Sequence, residues 1–414
     1  LAAVLAACAD ADGPAGSAAG SNGGAALPAT APHQSGVTLP GGLVTRGIGD
    51  RCVDCHEEIV AAYATSGMHD ALTLPSGAGS IEAGLVGRRV VDPETGVTVR
   101  FGARDGHYVQ RIEYVDPDGV ERAAFEARVD LVVGSGHATR SYFQITENRF
   151  LELPLTWYRE IDGLALSPGP GFAERTLRTA TNLCVACHTG LVRPVQAGWS
   201  AGFEGEISLG VTCERCHGPS DDHVVSGDPR TTVNPARLPA ARQEQVCQQC
   251  HLSAGITIEA TDRTIADFVP GQDLAAWIAI FGARGAEARD HADIAGHGER
   301  VRLSRCHTAT AEGGGQPLSC TTCHNPHRGF QARDAERETD RGCLVCHTAD
   351  ACHGDEAARG DRPCFACHMA VAPAGDVAHT KITDLWIRRR LPDVGPSDRH
   401  LPHPGELAMA GTRL

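Results

Sequence analysis

The sequence predicts mostly short α-helices and loops wrapped around stacked non-protein groups, with an inserted β-rich subdomain. Three observations carry that expectation. The pattern Cys-x-x-Cys-His occurs seven times in 414 residues. The aromatic fraction is only 5%, with 48 Gly and 24 Pro, so the chain is poor in the large side chains of an ordinary core. The stretch 80–165 holds none of the seven patterns and is punctuated by turn signals instead.

The seven copies supply Cys52, Cys55 and His56; Cys184, Cys187 and His188; Cys213, Cys216 and His217; Cys247, Cys250 and His251; Cys320, Cys323 and His324; Cys343, Cys346 and His347; and Cys364, Cys367 and His368. This spacing is that of a c-type haem attachment site. Two thiols three positions apart add across the two vinyl groups of one haem, and the adjacent histidine reaches the iron from one face. A random chain of this composition would carry roughly 0.03 such motifs. Zinc sites and disulfides also use Cys pairs, but neither requires a histidine directly after every pair. The fold class is therefore that of a multihaem cytochrome c with seven covalently bound haem c groups, whose apolar macrocycles stand in for missing Leu and Phe.

Along the chain, residues 1–8 read as a truncated lipoprotein signal peptide. Leu5-Ala6-Ala7-Cys8 resembles a bacterial lipobox, with Cys8 as the lipidated residue. The alternative is a plain secretory signal with a stray cysteine. Residues 9–45, rich in Ala, Gly, Ser and Pro, read as a flexible tether. Either version exports the chain, so a periplasmic or outer-membrane-anchored bacterial lipoprotein is expected, touching the membrane surface through Cys8. No other apolar run reaches the roughly 18 residues needed to span a bilayer.

Residues 46–79 form the first haem segment, with a helix over Cys52 to Thr65 stopped by Ser66-Gly67. Residues 80–165 read as a β-meander, with turns at Asp92-Pro93-Glu94-Thr95-Gly96, Asp105-Gly106 and Asp116-Pro117-Asp118-Gly119. Phe150 to Leu155 is the last expected strand there, placed at an edge or end by Pro154. Residues 166–390 form a six-haem domain whose closely spaced motifs leave little chain between haems. Its widest gap, 252–319, holds a helix candidate at Leu274 to Phe281. The basic triplet Arg388-Arg389-Arg390 reads as a solvated face, or as a holder of propionates or a partner carboxylate. Residues 391–414 read as a polar C-terminal tail. The net charge of −14 argues against nucleic acid and for redox-protein partners with basic patches, such as donor and acceptor cytochromes or a quinol-linked dehydrogenase.

Several runs carry a family resemblance. Gly134-Ser135-Gly136-His137-Ala138-Thr139-Arg140-Ser141-Tyr142, Gly210-Val211-Thr212-Cys213 through Gly218-Pro219, Val233-Asn234-Pro235-Ala236-Arg237-Leu238, Cys320 through His324-Asn325-Pro326-His327, and Cys364 through His368-Met369 are similar to those of bacterial multihaem c-type cytochromes. In outline the chain resembles the superfamily of hydroxylamine oxidoreductase and its tetrahaem electron acceptor, over roughly residues 50–390. The resemblance implies haem binding specifically and substrate only weakly.

The second axial ligand of each iron decides function. A second His closes the iron for pure electron transfer, whereas catalysis needs an open position. Thirteen of the 20 His lie outside the motifs. His33 is set aside as part of the tether. At places that match the family pattern, His223, His327, His379 and His69 lead, followed by His137 and His297. Met68 rivals His69, and Met369 is a weaker candidate. Cys306 and Cys352 read as a disulfide pair or free thiols, or, since His307 and His353 follow them, as haem sites lacking a first cysteine. The leading function is an exported electron-transfer cytochrome with mainly bis-His haems. The alternative is an oxidoreductase with one open haem acting on a small nitrogen or sulfur compound, its pocket drawing on Arg140, Tyr142, His291 and Asp293. A third reading is a polymerising haem wire.

Overall fold

A computed structural model describes residues 27–116, 118–169, 178–190, 192–195, 202–252, 256–283, 292–312, 318–330, 335–348, 362–389 and 407–409. All seven motifs fall inside these ranges. Cys8, His291, Cys352, His353 and Arg390 lie outside them.

The β-rich insert consists of two antiparallel sheets. A four-stranded meander runs Arg89–Val91, Thr98–Arg104, His107–Val115, Glu121–Arg128. Its central hairpin turns on Asp105 (φ 51°) and Gly106 (φ 77°), the left-handed pair that an Asp-Gly two-residue loop supplies. A larger sheet joins Leu72–Thr73, Leu131–Val133, Thr139–Thr146, Arg149–Tyr158 and Gly163–Leu166 in spatial order, with Arg178–Thr179 also on Arg149–Tyr158. Strand alternation sends Phe101, Tyr108, Leu153 and Leu155 between the sheets. Phe143, Ile145 and Phe150 go to the opposite face, against Leu43, Val185 and Ile207. Val185 lies inside the second motif, so the insert forms the wall on which that motif is built.

Gln110 stitches the sheets together. It is 0% exposed, its side-chain amide donates to the Leu155 carbonyl (3.0 Å), and its oxygen accepts from the Leu155 N–H (2.9 Å). Gln110→Leu would leave both backbone groups of Leu155 buried and unpaired. An expected cost of about 1–3 kcal/mol would show as a lower denaturation midpoint and faster hydrogen exchange at Leu155. Wild-type exchange at that amide would contradict the role.

Four sequence expectations are corrected here. Pro154 does not end its strand. Arg149–Tyr158 is interior, and Pro154 sits at the register shift between Ser141 and Phe143, where its missing N–H costs no ladder bond. The Leu274 to Phe281 helix is absent: a 3₁₀ turn at Leu274–Ala276 leads into strand Ile278–Ala283, paired with Ile256–Glu259. The Ile278-Ala279-Ile280 alternation has the strand period, and its partner lies about twenty residues upstream, beyond any local pattern. Residues 27–45, assigned to the tether, are packed. Leu43 is 0% exposed, and Val44–Arg46 pairs in parallel with Glu206–Ser208. Within the expected polar tail, Leu407–Met409 pairs with Ile278–Ala283.

Among the described residues, no helix is long and apolar enough to cross a membrane.

Candidate haem-binding site

Each motif folds as about one helical turn. The histidine N–H donates to the carbonyl of the first cysteine in five of them: His56 to Cys52 (2.9 Å), His217 to Cys213 (2.9 Å), His324 to Cys320 (3.0 Å), His347 to Cys343 (3.0 Å) and His368 to Cys364 (3.1 Å). The other two lie within the helices Asn182–His188 and Ala240–His251. One turn places positions i, i+3 and i+4 on neighbouring sides of the helix, so two thiols and an imidazole face one group. Caps start these turns locally: the Thr181 hydroxyl accepts from the Cys184 N–H (3.3 Å), and Ser319 forms a capping box with Thr322.

Backbone carbonyls orient several imidazoles. Nδ1 of His188 faces the Ala71 carbonyl (3.1 Å), that of His217 the Val233 carbonyl (2.9 Å), that of His368 the Arg388 carbonyl (2.8 Å), and that of His223 the Asp228 carbonyl (3.0 Å). A carbonyl only accepts, so Nδ1 carries the hydrogen and Nε2 is left as the metal donor. Burial lowers the pKa of His188, His251 and His324. It pushes His297 down to about 3, helped by His251 and His324. These rings are therefore neutral near pH 7, the form that ligates iron.

The structure brings three sequence-predicted second ligands to motif histidines. His223 lies 6.3 Å from His56 between ring centroids, with planes 18° apart. His327 lies 6.0 Å from His217, at 10°. Two imidazoles on opposite sides of one metal, each nitrogen about 2 Å from it, have centroids about 6 Å apart, so both spacings fit iron coordination. His297 lies closer to His251, at 4.8 Å and 6°. The other three candidates meet no motif histidine in ring contact. His69 donates through Nδ1 to Asp70 (2.7 Å) and lies against His33, with ring centroids 4.0 Å apart. His137 is exposed beside Gly67. His379, also exposed, meets the edge of Tyr158 at 5.3 Å.

His33 was missed by the sequence reading. Its Nε2 meets Asp70 at 2.8 Å and its Nδ1 meets the Leu209 carbonyl at 3.2 Å, so residue 33 belongs to the cluster around His69. Nothing in its Ala/Pro-rich surroundings signals this. Gly210 permits the same junction: at φ 99°, its missing Cβ would lie 2.0 Å from the His69 carbonyl. Of the residues offered for the alternative open-iron pocket, His291 lies outside the described residues and Arg140 and Tyr142 are engaged elsewhere. Arg140 pairs with the buried Glu82 (3.1 Å), Tyr142 is fully buried and donates to the same carboxylate (3.5 Å), and both lie in the insert's interior. The Asp293 carbonyl accepts from the Gly296 N–H (3.1 Å).

Different motifs meet. The Cys187 thiol of the second motif donates to the Gln249 carbonyl of the fourth (3.7 Å), and the Gln249 side chain donates to the Arg215 carbonyl of the third (2.9 Å), so the second and third motifs both touch the fourth.

The family model for cytochrome c554 and c-prime matches residues 172–218, which carry the second and third motifs. The crystal structure of outer cell wall cytochrome OcwA is similar, with a TM-score of 0.48 and 14% identity over 82% of this chain and 78% of that chain. No curated protein matches. The paired cysteines of each motif, the buried imidazoles and the near-parallel histidine pairs fit haem c, and the match over residues 172–218 shows likeness to a c-type cytochrome family there.

Proposed function

We propose that the chain is an exported heptahaem c-type cytochrome that moves electrons along closely spaced, mainly bis-His haems. The observation that carries this is the meeting of His56 with His223 and of His217 with His327 at about 6 Å, both with near-parallel rings. Bound haem supplies one-electron chemistry by cycling between ferric and ferrous iron. The chain's own residues do the rest. Each Cys pair anchors one group. Each motif histidine would hold the iron of its group, with His223 and His327 as the second holders for motifs one and three and His297, closer to His251 at 4.8 Å, as the candidate for motif four. The second and third motifs both touch Gln249 of the fourth, which supports close passage of electrons among these three.

The wider kinship with the superfamily of hydroxylamine oxidoreductase is part of this proposal. So are anchorage through Cys8 to the periplasmic or outer-membrane surface, and exchange of electrons with other redox proteins through basic patches that complement the net charge of −14.

Two measurements on the purified protein test it. The pyridine haemochromogen assay is expected to give seven haems per chain. Low-temperature EPR of the fully oxidised protein is expected to show low-spin iron, with spins quantified against that count. A high-spin signal worth about one haem would replace the closed conduit by an open-iron oxidoreductase, to be screened with nitrite, hydroxylamine and tetrathionate.

A further inference from the structure

Two imidazoles and a carboxylate converge where the N-terminal segment crosses the chain that follows the first motif. Asp70 Oδ1 meets His33 Nε2 at 2.8 Å and His69 Nδ1 at 2.7 Å. One donor atom from each of the three residues lies within 4.8 Å of the other two. The imidazoles are largely covered, at 21% and 16% side-chain exposure, while the carboxylate is 42% exposed. Separate stretches of chain hold them. His69 and Asp70 open the 3₁₀ turn His69–Ala71, and the His69 N–H donates to the Ser66 hydroxyl (3.1 Å). His33 comes from the segment 27–46, and its Nδ1 meets the Leu209 carbonyl at 3.2 Å. None of the three donors belongs to a Cys-x-x-Cys-His motif.

The His33 ring sits between two acceptors. The Leu209 carbonyl only accepts, so Nδ1 carries the hydrogen, and a neutral ring then presents Nε2 as a lone pair. That lone pair faces a carboxylate oxygen at 2.8 Å. A cation must stand between the two, either a proton or a metal ion. Three features favour the metal ion. The same oxygen is also faced by a second imidazole. An imidazole whose other nitrogen donates to a backbone carbonyl is the usual setting of a metal-bound histidine. The exposed side of Asp70 gives an ion an entry path and leaves room for water as a fourth ligand. We propose that His33 Nε2, His69 Nδ1 and Asp70 Oδ1 bind one divalent ion of the zinc class, and that this ion clasps the segment 27–46 onto the motif-bearing chain. Two imidazoles and one carboxylate suit zinc and its borderline neighbours. Donors about 2.0–2.2 Å from zinc stand roughly 3.3 Å apart, so seating the ion spreads the present contacts by about half an ångström, towards the exposed side of Asp70. The ion takes the place of the hydrogens between the rings and Oδ1. His69 then carries its hydrogen on Nε2, and the second proton of His33 leaves to solvent.

The test uses zinc alone on the full haem-loaded chain, stripped with EDTA and dialysed against zinc chloride, with zinc and iron counted by mass spectrometry. The parent is expected to retain one zinc per chain. His33→Gln and Asp70→Asn should each weaken zinc binding by about tenfold or more. His107→Gln, on an exposed strand of the insert, should bind as the parent does. Amide exchange gives a second readout. The Thr45 N–H donates to the Val37 carbonyl and the Leu74 N–H to the Pro32 carbonyl, both at 2.9 Å. Zinc should slow exchange at both amides in the parent and at neither in His33→Gln. If Asp70→Asn misfolds, His33→Gln decides. A parent at full haem content that retains no zinc overturns the proposal, as does equal zinc retention in His33→Gln. A high-spin haem appearing in His69→Ala also overturns it, by giving His69 to an iron. A parent that holds one zinc but no haem would fail the reading of the motifs and support this site.

Discussion

Replacing His223 by Ala is expected to leave the haem count at seven while turning one haem from low-spin to high-spin. The expectation rests on how this ring is held. His223 sits in the helix Asp221–Ser226, which ends on Gly227 in the left-handed conformation (φ 68°). Its Nδ1 is committed to the Asp228 carbonyl at 3.0 Å, so the other nitrogen points away from that bond. Its ring lies 6.3 Å from His56, the spacing of two imidazoles on one iron. Covalent attachment depends on Cys52 and Cys55, which the substitution does not touch, so the group stays bound. Alanine offers no donor, and water is a weaker-field ligand, so the spin state changes. Quantified EPR would show a new high-spin signal worth one haem of seven, and added imidazole should abolish it. His327→Ala should do the same for the third motif. A His223→Ala spectrum indistinguishable from the parent, at full haem content, would remove His223 from the ligand set.

Asp384→Asn is expected to cost about 3–5 kcal/mol of stability, the usual loss when one partner of a buried ion pair is removed. Asp384 is 3% exposed and accepts from Arg300 through both Nε and Nη2, each at 2.7 Å; Arg300 is itself 5% exposed. Arg388 donates to the same carboxylate at 2.6 Å, and the Trp386 N–H at 3.0 Å. The two guanidinium carbons lie 5.5 Å and 4.0 Å from the Trp386 ring centroid. Asparagine keeps the shape and loses the charge, so Arg300 and Arg388 repel one another across an uncharged amide. The cluster also bears on the seventh motif. The Asp384 N–H donates to the Ala370 carbonyl (2.7 Å), the Arg388 N–H donates to the His368 carbonyl (2.9 Å), and the Arg388 carbonyl accepts from His368 Nδ1 (2.8 Å). Denaturant unfolding followed by far-UV circular dichroism and by Soret absorbance should show the lower midpoint, with the seventh motif loosening first. A loss below about 1 kcal/mol would place the pair in the class of exposed ion pairs.

What was legible depended on range along the chain. Cys-x-x-Cys-His is one helical turn long, so motif and local structure coincide, as the His217 to Cys213 backbone bond illustrates. The insert was legible through the two-residue period of Tyr108 to Ile112 and the Asp105-Gly106 turn. Leu274 to Phe281 was misread because eight apolar residues suit a buried helix as well as a strand, and Ile256–Glu259, which resolves the ambiguity, is a tertiary partner. That Arg140 and Tyr142, offered for the alternative reading, both engage Glu82 was not legible, because Glu82 lies 58 and 60 residues away.

The sequence by itself determined the chemistry that one turn of chain can encode: seven paired-thiol and histidine sites, a strand-rich insert without them, and a surplus of histidines to ligate from the far side. Tertiary structure alone decided which histidine faces which motif, that residue 33 joins His69 and Asp70, and that the second and third motifs both meet the fourth at Gln249. The physical reason is the same in each case. Attachment is a covalent requirement on residues three and four apart. Ligation from the far side, motif adjacency and charge balance are met by whichever residues the packed chain brings within a few ångströms, and sequence separation carries no record of them.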